Sequence, residues 1–105
     1  MAPLQHTPGP YRADGPDPFG DYNILHPADY SAVAAVVSNC RPAPEVHATA
    51  LLFGATHDLL EALLAQEKAD EALTADVPDD FEVWQRLETE AKRLRQVALE
   101  KAGVR

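Results

Sequence analysis

Apolar positions are densest over residues 45–73. Leu52, Ala55, Leu59 and Leu63 recur at spacings of three and four, and Phe53, Leu60 and Leu64 widen that line. This period predicts one long helix over residues 45–73 with a broad buried face. Pro44 suits a first helical position, and Glu45 complements the positive end of the helix. Gly54 interrupts the run at a cost of about 1 kcal/mol relative to alanine. Close packing against a strand or a second helix is the favoured reason for it, ahead of a ligand touching the backbone. A second stripe follows residues 74–80, which read as a turn. Phe81, Trp84, Leu87, Ala91, Leu94 and Ala98 are spaced three, three, four, three and four. Pro78 with Asp79 and Asp80 marks a helix start, and Gly103 a terminator, so a helix is expected over residues 79–101. Acids crowd its beginning and bases its end, as the helix dipole prefers. Glu82–Arg86 and Glu88–Lys92 are i,i+4 pairs on it. With a short turn between them, the two helices should form an antiparallel hairpin.

The pattern upstream has a shorter period. Tyr22, Ile24 and His26 alternate with Asn23 and Leu25, and Pro27 ends the run. Residues 30–38 are Ala/Val-rich and β-branched in their second half. Two antiparallel strands joined by residues 26–29 account for both runs, with residues 11–14 as a candidate third strand. A helix beginning at Ser31 is the competing reading of the second run, and strand is favoured. The fold class expected is therefore α+β: a small antiparallel sheet of two or three strands, then a two-helix antiparallel hairpin packed on it. Residues 1–20 form a proline-rich N-terminal arm, in which Tyr11 is the candidate anchor, and residues 21–105 form a single small domain.

Composition narrows the functional classes. The chain has 105 residues and is 46% hydrophobic, but much of that fraction is alanine. Alanine contributes little apolar area, so the core is thin and self-association into a dimer or higher homo-oligomer is expected. Nine Lys and Arg against 17 Asp and Glu leave a net charge of −8, which argues against a partner held by its phosphate backbone. The lone Cys40 forms no internal disulfide and fits a reducing compartment. There is no long uncharged apolar run and no export signal, so no membrane span is expected and the expected location is cytoplasmic.

Candidate chemistry is sparse. His57 and Glu61 share a helix face at i,i+4, but a metal needs three or four ligands and this face offers two. His47 lies roughly on the same side of a continuous helix, about 15 Å away by helix rise. The plain reading of His57 and Glu61 is a solvated face with a weak interaction, and the sharper one is a small histidine-dependent enzyme or metal protein. No nucleophile elbow, phosphate loop, paired-cysteine motif or zinc-protease helix is present. No catalytic, cofactor or metal residue is therefore assigned, and no cofactor is expected. Tyr22 and Trp84 are candidate interface anchors, though each residue type is more often core. Arg41, Arg86, Arg93 and Arg95 are candidate contacts for an anionic small molecule at a subunit interface.

Two stretches carry a resemblance. HisThrProGlyProTyr at 6–11 is similar to the HTPGPW opening of a widespread group of small uncharacterised phage and prophage proteins. ThrAlaLeuLeuPheGlyAlaThrHisAspLeuLeuGluAlaLeu at 49–63 resembles that family's NARLIAAAPELLEAL-type helix, most strongly over residues 58–63. Residues 31–37 occupy the place of the family's short Ala/Val strand. Tyr11 stands where tryptophan is usual, Thr49 and Leu51 replace the Asn and Arg, and His57 replaces the proline. The resemblance spans residues 6–66 and implies a phage or prophage origin and an accessory, non-enzymatic role. Such a role is exercised by binding a host protein or, alternatively, by sequestering a nucleotide signal.

Overall fold

The computed structural model describes residues 3–74 and 81–105. The expected turn at 74–80 and the expected helix start at Pro78–Asp80 lie largely outside those residues. Strands β1 (Arg12–Asp14), β2 (Tyr22–Leu25) and β3 (Ala32–Val36) precede helices α1 (Ala43–Gly54), α2 (Thr56–Thr74) and α3 (Phe81–Lys101). The fold class is α+β. The sheet is antiparallel with order β1-β2-β3, so residues 11–14 do supply a third strand, and the 30–38 run is a strand rather than a helix. The ladder shifts between Ile24 and Leu25, which face Ala34 and Ala32, leaving Val33 as the extra residue of a bulge.

Local chemistry shapes the connections. Asp17 Oδ1 accepts from the N–H groups of Phe19 and Asp21, folding the Pro-rich loop into a turn. Asp21 Oδ1 in turn accepts from Ser38 N–H across the sheet end at 2.7 Å. Gly15 has φ +149°, and a Cβ there would meet the Asp21 carbonyl and the Tyr22 ring. At the far end, Gly103 has φ +79° and ends α3, with Val104 N–H donating back to Leu99 O at 3.0 Å.

The expected single helix over 45–73 is two helices. α1 stops at Gly54, Ala55 closes it by donating to the Leu51 and Leu52 carbonyls, and α2 departs at a bend of 46°. Gly54 packs on β1: a Cβ there would lie 3.0 Å from Ala13 N and 3.2 Å from Ala13 Cβ. Packing against a strand thus explains the glycine, and the chain turns once it has passed the sheet edge.

The bend divides the molecule into two layers with separate cores. α1 covers the sheet, where Tyr22, Ile24 and Val36 pack with Val46 and Ala50. Tyr22, a candidate interface anchor, is buried in this core, and its hydroxyl meets His47 Nδ1 at 3.0 Å. The α2–α3 hairpin does not lie on the sheet as expected but projects from it. The radius of gyration is 17.3 Å, against about 13 Å for a compact chain of this length.

The buried face of α2 also differs from the sequence expectation. Ala55, on the expected line, is buried just before α2 begins, but within α2 the buried positions are Ala62 and Ala69, seven residues apart, whereas Leu63 is 68% exposed and Leu60 and Leu64 also face solvent. On α3 the buried positions are Ala91 and Ala98, again seven apart. Lys101–Asp58 at 2.8 Å and Arg95–Gln66 at 3.3 Å set an antiparallel register that brings Ala62 level with Ala98 and Ala69 level with Ala91. Small side chains allow two helices to approach closely, so the seam is alanine on alanine. The leucines are too large for that seam and are turned outward.

Candidate functional site

The structure brings the two resembling stretches together. The arm crosses the beginning of α2 just after the bend, and Gly9 sits on His57. A Cβ at Gly9 would fall within the His57 side chain, 2.6 Å from its Cδ2, so only glycine lets the arm lie this close. The His57 ring is flanked by His6 and Tyr11, with ring centroids 5.7 and 5.8 Å away and edge-to-face geometry. Tyr11 OH donates to the Thr7 carbonyl, which also accepts from His6 Nδ1 at 2.9 Å. The six-residue stretch is thus closed on itself before it meets the helix.

His57 was expected on a solvated face. Its side chain is only 16% exposed because the arm covers it, while Glu61 remains half open with Oε1 3.6 Å from His57 Nε2. At that distance the contact is electrostatic only, and only when the imidazole is protonated. His47 does not share this side: the bend separates it from His57 and turns it to Tyr22. Among the described residues no group of three or more His, Cys, Asp or Glu side chains is placed to hold a metal.

Beside the covered histidine a cleft of about 330 Å³ opens between arm, sheet and bend. His6, Thr7 and Tyr11 form one wall, Ile24 and Val33 the floor, and Phe53 and Thr56 the other wall. It is chiefly apolar, with the His6 imidazole and the hydroxyl-bearing Thr7, Tyr11 and Thr56 among its lining residues. That composition suits contact with an apolar side chain and offers no paired acid and base.

The other candidate residues lie on the hairpin. Trp84 is half buried beside Phe81, ring centroids 5.5 Å apart, and its Nε1–H has no hydrogen-bond partner among the described residues. Arg93 makes a forked pair with Glu90, with Nε 2.9 Å from Oε2. That contact raises the arginine's pKa and lowers the carboxylate's. Arg95 reaches across to Gln66, and Arg41 pairs with Glu45 at the start of α1, 3.8 Å away. Arg86 lies two turns from Arg93 on the same face of α3, between Glu82 and Glu90. Within one chain these four arginines do not converge. Glu88, expected to pair with Lys92, accepts from Gln66 at 3.1 Å instead.

Sequence reasoning missed the outward leucines, because periodicity marks an apolar line without saying which of two lines is covered. It also treated the arm and the helix as separate motifs. The signal available was Gly9, a residue whose value lies in letting another segment approach.

Comparison with protein-family models, with curated proteins and with solved structures returns no match. Among the described residues no single helix is long and apolar enough to cross a membrane.

Proposed function

We propose that the chain is a non-enzymatic accessory binding protein of phage type that works as a homo-oligomer in the cytoplasm of a host cell and acts on a host protein. The observation that carries the self-association is the outward side of α2. Leu60, Leu63 and Leu64 stand exposed on a helix whose opposite side is already satisfied by the alanine seam. An apolar surface of this kind on an elongated hairpin is the mark of an interface rather than of a free surface. A second copy supplies the complementary leucines, and two hairpins side by side make a four-helix arrangement with the leucines as its core. The apolar cleft beside His57 lies outside that contact and is the surface left for a host protein.

The test is the native mass of the full chain, with Leu63→Glu as the variant. A dimer or higher oligomer that falls to monomer in Leu63→Glu, with helix content retained, supports the reading. A monomer at high micromolar concentration overturns it.

A further inference from the structure

On the other side of the arm lies a second cleft, of about 370 Å³, lined by Tyr11, Arg12, His26, Pro27, Tyr30 and Lys101. In a chain of net charge −8 it gathers two of the nine Lys and Arg residues and one of the four histidines. They come from three separate places: β1, the β2–β3 connection and the last turn of α3. We propose that this cleft binds a small aromatic oxyanion, a single planar ring carrying a phosphate or a carboxylate. The site belongs to one chain and does not rest on self-association.

The donors are arranged for it. Arg12 lies over the Tyr30 ring, 5.1 Å from the centroid, and among the described residues no carboxylate forms an ion pair with it. A guanidinium held over a ring and not paired with a carboxylate keeps N–H donors for an oxyanion, which it can grip with two parallel bonds. His26 Nδ1 accepts from Ala28 N–H at 3.0 Å, so the ring proton sits on Nε2 and remains a donor. Asp29 Oδ1 lies 3.5 Å from that same Nδ1, too far for a good hydrogen bond, and leaves Nε2 free. Lys101 is steadied by Asp58 at 2.8 Å and keeps two of its three N–H donors. Among the described residues Arg12 is thus the cation of the cleft that no carboxylate pairs with, and Lys101 and His26 are further donors beside it.

The ring has its own place. Tyr30 is a bulky residue at φ +59°, a conformation such residues rarely adopt. It is held there by Tyr30 N–H donating to His26 O at 3.2 Å, His26 N–H donating to Ser31 O at 2.8 Å, and Asp29 Oδ1 accepting from Ser31. The turn therefore presents an exposed aromatic ring under the guanidinium, beside Pro27 and Tyr11. The cleft is at the small end of the usual range for ligand sites, about 300–1,000 Å³, which limits the ligand to roughly one ring.

The test is a two-dimensional amide NMR titration of the full chain with phenyl phosphate, benzoate, inorganic phosphate and phenol. Expected are saturable shifts at Arg12, Tyr30 and Lys101 with phenyl phosphate or benzoate, weaker shifts with inorganic phosphate, and none with phenol. The tighter of the two aromatic anions identifies the headgroup. Arg12→Gln should weaken binding about tenfold. In the unaltered chain, raising salt from about 50 to about 500 mM should weaken binding severalfold. No saturable shift with either aromatic anion, or binding insensitive to both salt and Arg12→Gln, overturns the proposal. The native mass is independent of these readings, so the two proposals fail separately.

Discussion

Gly9 lies directly on His57, and this one contact joins the N-terminal arm to the first turn of α2. Forty-eight residues separate the two positions along the chain. The contact buries a histidine that would otherwise face water, and it also fixes the start of β1 three residues later. Gly9→Ala should push the arm off the helix. Overpacking of this kind costs about 1–3 kcal/mol, and here the arm can give way, so the low end is expected. Hydrogen exchange should show faster exchange at Arg12–Asp14 with the α2–α3 hairpin unchanged.

Gly54→Ala poses two opposing effects. Alanine gains about 1 kcal/mol of helix propensity over glycine. Its Cβ would stand 3.0 Å from Ala13 N, a backbone atom of the central part of β1. A backbone neighbour gives less easily than a side-chain tip, so β1 should shift. The expected outcome is a chain no more stable to heat, with higher helix content in α1 and weakened protection in β1. A clear rise in melting temperature would show that β1 accommodates the methyl.

The alanine seam and the leucine side of α2 should respond oppositely to mutation. Ala62, buried against α3, cannot enlarge. Ala62→Leu should cost about 1–3 kcal/mol by forcing the helices apart. Leu63→Ser, at the neighbouring exposed position, should change the stability of one chain by no more than about 0.5 kcal/mol. The same substitution should lower the association constant. Denaturant melts at several protein concentrations separate the two effects.

The β2–β3 turn should loosen in acid. Asp29 has its pKa lowered from 3.8, chiefly by the Ser31 hydroxyl and then by Ser31 N–H. A carboxylate with a depressed folded-state pKa stabilises above its unfolded value and loses that contribution as pH falls through the folded value. The Glu90 carboxylate, lowered by Arg93, behaves in the same sense. Both groups are open to solvent, so the effect is local. Amide exchange at Tyr30 and Ser31, corrected for intrinsic rate, should rise below the ordinary aspartate range in the parent chain. In Asp29→Asn it should be already high and nearly independent of pH.

The sequence by itself determined the order of elements and most of their limits. Alternation at Tyr22–Leu25, the β-branched run ending at Val36, the α3 stripe and the Gly103 stop are local signals, set by pleat and helix period. Gly54 was legible as a close approach, because a missing side chain inside a helix needs a neighbour to explain it. The tertiary structure alone decided three things. It bent residues 45–73 at Ala55, because α1 ends its contact with the sheet there and α2 must pair with α3 instead. It chose alanines over leucines for the seam, because two helices gain most by packing at the closest distance their small residues allow. And it laid His6, Gly9 and Tyr11 against His57, and Arg12 beside Tyr30 and Lys101, because antiparallel β1–β2 pairing and the hairpin's register bring distant segments to one place. Periodicity carries no information about partners so far apart in the chain, so both clefts became visible only in three dimensions.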